Sequence, residues 1–148
     1  MSITELDARS YIYADGPPDT PTTKVLLQGT QAAVKNRNAK DGPNTMLLAR
    51  MVIVSVYQLW EDRYRPLIAK ARGLATNDLR SNLFGDLRTY RRAIIHANSV
   101  AIPEVEANKV LHWCVPGAPI NPTTAQMQTL LGLIAAEVEA LERGSSAA

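Results

Sequence analysis

Between Met46 and Tyr57 nearly every side chain is apolar, with Arg50 and Ser55 as the polar exceptions. A helix that is apolar on all faces has no side to offer water, so this run predicts a buried helix at the centre of a core. It is too short to span a bilayer, which takes about 20 apolar residues. The break Asp41-Gly42-Pro43 precedes it, and Asn44 is suited to cap its N-terminus. Beyond it, Leu59-Trp60-Glu61-Asp62-Arg63-Tyr64-Arg65 separates into apolar and charged faces, with Glu61 and Arg65 spaced for a helical ion pair. Pro66 must kink this helix or begin a new one, because it lacks an N–H and its ring clashes with the preceding turn. Gly73 ends the segment. Arg50, set in apolar surroundings, needs partners, and Glu61, Asp62 and Asp86 are the acids that could supply them.

Two further helices follow from periodicity. Leu79, Leu83, Leu87, Tyr90 and Ile94 recur at helical spacing, with Thr76 or Asn77 placed to cap. Thr123 with Gln126 forms a capping box. Behind it Met127, Leu130, Leu131, Ile134, Val138 and Leu141 share a face that excludes Glu137, Glu139 and Glu142. Residues 104–122 are less regular; Lys109 to Val115 reads as a possible strand. In residues 1–43, Tyr11-Ile12-Tyr13 and Lys24-Val25-Leu26-Leu27 flank Ala14-Asp15-Gly16-Pro17-Pro18, a pattern for a short hairpin. The chain therefore reads as mainly α: a helical bundle of about four helices over residues 44–148, behind a small irregular or β-containing N-terminal extension, residues 1–43.

With 148 residues, one domain can bury roughly 70% of the surface its unfolded chain exposes, without a disulfide or a metal. Cys114 has no second cysteine to pair with, which points to a reducing compartment, and the N-terminus lacks the pattern of a signal peptide; the expected location is cytoplasmic, with no membrane attachment. A net charge of +2 is too small to argue for nucleic acid by itself. The local balance differs: from Arg80 to Arg92 there are four arginines and one acid, Asp86.

That basic helix carries the candidate chemistry. In Arg88-Thr89-Tyr90-Arg91-Arg92-Ala93-Ile94-Ile95-His96-Ala97-Asn98 a guanidinium precedes an imidazole by five positions. Histidine moves protons near neutral pH. Arginine stays charged and forks two donors onto phosphate oxygens. The pair can cleave a phosphodiester without a metal or cofactor, and RNA is the natural substrate class because its 2′-hydroxyl is an internal nucleophile. On a straight helix Arg91 and His96 point roughly 140° apart, so convergence calls for loosening near His96 or a second copy; Arg88, Arg92 and His96 share a face regardless. The plainer alternative is a histidine placed against a helix dipole beside solvated arginines.

The segment Gly85–Asn98 resembles the signature helix of the HEPN superfamily, whose motif is an arginine, four to six residues, then a histidine. Members commonly carry a polar residue, often Asn, after the arginine; here Arg92 stands there. The resemblance extends over residues 44–143 in helix content and order. It implies an all-helical, dimeric protein and a metal-independent endoribonuclease of a defence or toxin–antitoxin system. Arg91 and His96 would be the catalytic pair at a dimer interface, with Arg88, Arg92 and Asn98 supporting RNA. It also admits a non-catalytic RNA- or protein-binding dimerisation module, and a cognate antitoxin as partner.

Other features weigh less. His112-Trp113-Cys114 offers two ligand types, but a structural zinc site takes four, so a buried cysteine beside a packing tryptophan is the simpler reading. Tyr57, Trp60 and Tyr64 could stack on bases, yet on a helix they serve a core. Asn36–Gly42 is basic and polar, as a solvated loop is. No Gly-rich phosphate loop or nucleophile elbow occurs.

Overall fold

The computed structural model describes residues 2–17 and 20–144. They form two compact units, Met1–Thr45 and Met46–Ala148.

In the first unit a five-residue helix, α1 (Ile3–Asp7), is closed by a capping box between Ser2 and Glu5. Strands β1 (Ser10–Asp15) and β2 (Lys24–Thr30) pair antiparallel from Ser10 opposite Thr30, with a bulge between Tyr13 and Ala14. The expected hairpin is present; Pro18, in its connection, lies outside the described residues. Two helices here were not anticipated, α1 and α2 (Gln31–Asn38), the latter capped by the Thr30 hydroxyl on Ala33 N–H at 3.2 Å. Lys35 of α2 pairs with Asp7 at the end of α1. The stretch from Asn36 to Gly42 is thus partly helix. Gly42 is obligatory, since a Cβ there would stand 2.6 Å from the Asn36 carbonyl and 2.9 Å from those of Arg37 and Ala39.

Helix α3 (Pro43–Leu59) starts one residue before Asn44, which therefore lies in the first turn instead of capping it; its amide donates to Asn38 Oδ1 at 3.0 Å. The expectation of all-round burial is also corrected. Ala49, Ile53 and Tyr57 face the core, whereas Leu47, Leu48, Met51 and Val52 are exposed. Periodicity cannot reveal which faces of an apolar helix find neighbours. Arg50 does not pair with an acid: its Nε donates to the Ile120 carbonyl at 2.7 Å and its Nη2 to the Asn121 side chain.

At Trp60–Tyr64 the helix widens into a π turn, and Arg65 N–H bonds to the Trp60 carbonyl five residues back. The cause is Pro66, which cannot donate and whose ring crowds the preceding turn. Helix α4 (Arg65–Ala71) continues from there and stops before Gly73, whose φ of +66° is left-handed. Glu61 and Arg65 form the anticipated ion pair at 2.8 Å. Trp60 stacks on Phe84 with centroids 3.9 Å apart and planes 4° from parallel.

Thr76 and Asn77 lie in a short 3₁₀ turn, and the cap of α5 (Asn82–His96) is Ser81, which accepts from Phe84 N–H at 3.2 Å. Leu79 is buried ahead of the helix, while Leu83, Leu87 and Tyr90 form its inner stripe with Ile94 partly buried. The span 109–115 is not a strand. Its N–H groups at Lys109, Val110 and Leu111 are taken by the buried Asp86 carboxylate, at 2.6–3.0 Å, so they never meet a neighbouring strand. The turn after α5 is held by Ala101 N–H on Ala118 O and Ile120 N–H on Ser99 O, both at 2.8 Å.

Helix α6 (Thr124–Arg143) has the expected capping box and ends at left-handed Gly144. Its inner face is rotated from the expected one: Glu137 is buried and Leu131 is 62% exposed. Among the described residues no helix is long and apolar enough to cross a membrane. The chain is mainly helical, with a small two-stranded antiparallel sheet in the first unit.

Candidate functional site

The side chains singled out on α5 border a groove of about 590 Å³, together with residues of α3, the π turn and α4. One wall is Arg88, Arg91, Arg92 and His96; the other is Tyr57, Gln58, Glu61 and Arg65, with Asn77 at one end. Helical geometry explains how Arg91 and His96 border one groove. At about 100° per residue, Arg88 and Arg92 point between them, so the groove faces the middle of an arc whose edges they form. The helix stays regular through His96, and neither loosening nor a second chain is needed to bring both to the groove.

The four side chains differ in what already holds them. Arg92 is committed to Glu104 at 2.9 Å. Arg91 is half-buried, with its guanidinium 5.8 Å from the Tyr57 ring centre and one Nη2 bond to Gln58 Oε1 at 3.4 Å; its Nε has no hydrogen-bond partner. Arg88 is exposed and enters no ion pair among the described residues. His96 is exposed in the last turn of α5. Asn98 does not border the groove. It stands just past the helix with φ of 51°, and Ser99 follows at 62°, a left-handed pair that turns the chain away. Asn tolerates that conformation better than most residues.

The groove is cationic with one carboxylate. Arg65, Arg88, Arg91 and Arg92 face Glu61, which accepts from Arg65 Nη1 at 2.8 and 3.1 Å and from the Tyr57 hydroxyl at 3.3 Å. Burial and the Glu61 charge push the Tyr57 phenol above its ordinary range, opposed by Arg88 and Arg65. Sequence reading gives Glu61 an ion pair and assigns Tyr57 to the core over base stacking; their place opposite α5 is a tertiary arrangement that no local pattern announces.

His112 is exposed, Trp113 packs on Tyr90 at 5.2 Å between ring centres, and Cys114 Sγ lies 3.8 Å from the Tyr90 hydroxyl. Trp113 and Cys114 serve packing. Tyr57 and Trp60 are buried and Tyr64 is half-exposed. Among the described residues no three His, Cys, Asp or Glu side chains gather as a metal site would need. No family model, curated protein or solved structure matches the chain.

Proposed function

We propose that the chain is a HEPN-like helical protein that cleaves RNA through Arg91 and His96, acting as a homodimer and requiring no metal. The observation that carries this reading is the common groove: an exposed imidazole and a lightly committed guanidinium border one cationic cleft on one helix. A phosphodiester lying along Arg88 and Arg91 would have its oxygens matched by fixed donors. The 2′-oxygen attacks phosphorus and the bond to the 5′-oxygen breaks. The 2′-hydroxyl proton leaves and the 5′-oxygen gains one, with His96 as the group that moves protons. The products are a 2′,3′-cyclic phosphate and a 5′-hydroxyl. A twin subunit would set a second groove beside the first, in the manner of a two-fold dimer.

The test is incubation of purified protein with structured RNA in EDTA. Cuts ending in cyclic phosphate, abolished by His96→Ala and by Arg91→Ala with unchanged circular dichroism, support the proposal. RNA that binds without being cut would replace it with the non-catalytic binding module. Cutting that persists in His96→Ala would remove that residue from the chemistry.

A further inference from the structure

A second, smaller recess of about 260 Å³ adjoins the cationic groove, and the two share Tyr57, Glu61, Arg65 and Arg88 as a common wall. Beyond that wall the recess is lined by the stacked pair Trp60 and Phe84, by Arg80, and by Ser81 and Asn82 at the start of α5. Its size falls just below the roughly 300–1,000 Å³ of pockets for drug-sized ligands, which suits one planar ring better than a whole nucleotide.

Glu61 is the feature that needs explaining. A carboxylate in a phosphate-binding groove repels the ligand that four arginines attract, so a groove built only to hold a backbone would do better without it. Here it is also oriented, by Arg65 on one side and the Tyr57 hydroxyl on the other. Its side chain remains 38% exposed. Of a carboxylate's roughly four acceptor positions three are engaged, so one is open to an incoming donor, and the long Tyr57 contact at 3.3 Å is the one a second donor would displace.

We propose that this recess is a nucleobase subsite that reads guanine, with Glu61 and Arg80 as its specificity determinants. The proposal rests on reading the adjoining groove as the place of the phosphodiester. Guanine is the base with two neighbouring donors, N1–H and the N2 amine, on its Watson–Crick edge, which complement a carboxylate. Its other edge presents two acceptors, O6 and N7, which complement a guanidinium fork. Adenine and cytosine set an acceptor nitrogen beside their amine, where a carboxylate would be repelled. Uracil has a single N–H between two carbonyls. The buried Trp60 and Phe84 form an apolar floor, and the exposed guanidiniums of Arg80 and Arg88 offer planes on which a base can stack.

Guanosine 3′-monophosphate is the probe, because its phosphate can lie on Arg88 and Arg91 while its base enters the recess. Calorimetric titration of the full chain with the four nucleoside 3′-monophosphates should show guanylate binding about tenfold tighter or more. Glu61→Gln and Arg80→Gln should each bring guanylate to the level of the other three, over and above any common shift that the altered charge gives all four. Arg80 is exposed and outside any helix, so its variant reports even if Glu61→Gln disturbs folding. Equal binding of all four, absence of nucleotide binding, or guanine preference surviving both substitutions overturns the proposal. RNA cleavage is read separately. Guanylate preference without RNA cleavage keeps the subsite and ends the nuclease reading; cleavage without guanine preference does the reverse.

Discussion

Asp86 and Tyr90 stand one turn apart on α5 and grip Leu111 from both ends of its peptide: the Asp86 carboxylate accepts the Leu111 N–H at 2.8 Å, and the Tyr90 hydroxyl donates to the Leu111 carbonyl at 3.0 Å. Both side chains are buried, and Tyr90 also accepts from Trp113 N–H at 3.1 Å. The N–H groups of Lys109, Val110, Leu111 and Trp113 and the Leu111 carbonyl therefore find on α5 the hydrogen bonds a strand would have supplied. This anchoring fixes the inner face of the helix whose outer face carries Arg88, Arg91, Arg92 and His96.

Asp86→Asn should cost about 3 kcal/mol, because an amide offers one acceptor oxygen and turns donors toward a cluster of N–H groups. Urea unfolding measures it. A midpoint equal to that of the parent would show that the segment does not depend on the carboxylate.

Alkaline pH should weaken the fold through Tyr90. Burial is the main cause that pushes its phenol up to about 12 from 10.0. The unfolded chain then loses this proton first, so the contribution is complete below about pH 10 and drains away between 10 and 12. Tyr90→Phe should be less stable at neutral pH by about 1–2 kcal/mol and show a shallower alkaline decline. Part of the decline will remain, since Tyr57 is raised as well. Thermal melts across that window decide; an unchanged slope argues against Tyr90.

Glu137 is 6% exposed, and its Oε1 has no hydrogen-bond partner. Replacing a buried, under-satisfied carboxylate with an apolar side chain of similar length should stabilise. Glu137→Met is expected to gain about 1 kcal/mol in urea unfolding. A loss instead would reveal that the other oxygen holds something the fold requires.

The arginines should differ in their hold on RNA. Arg88 is free of ion pairs among the described residues, whereas Arg92 is engaged by Glu104. Fluorescence anisotropy with a labelled single strand should show Arg88→Gln lowering the salt slope by about 0.7, the value for one phosphate contact. Arg92→Gln should lower it less. Equal slopes in both variants would mean that the Glu104 pair opens on binding.

What the sequence reveals and what it conceals divide along physical lines. The stripe Leu83–Leu87–Tyr90 and the capping box at Thr123 are local, and each was readable from spacing alone. The two-strand hairpin was readable for the same reason. Asp86 looked like a lone acid in a basic helix because its partners lie 23–25 residues away. The exposure of α3 was hidden because an all-apolar helix carries no directional signal. The candidate pair Arg91 and His96 was readable as a motif, but the opposing wall was not, since its residues are distant in the chain, Gln58 standing 33 positions from the Arg91 it contacts.

The change in helical winding ahead of Pro66 has a further consequence. The π turn at Trp60–Tyr64 is in effect one residue more than an ordinary helix would hold over the same length. Deleting a single codon there, even for exposed Arg63 where replacement should pass unnoticed, would let the helix close to ordinary winding over the same length, with both flanking segments left in place. The cost would fall on Pro66, whose ring would then meet the carbonyl four positions before it, the clash that the wider turn relieves. A position indifferent to which amino acid it holds would then be intolerant of holding none.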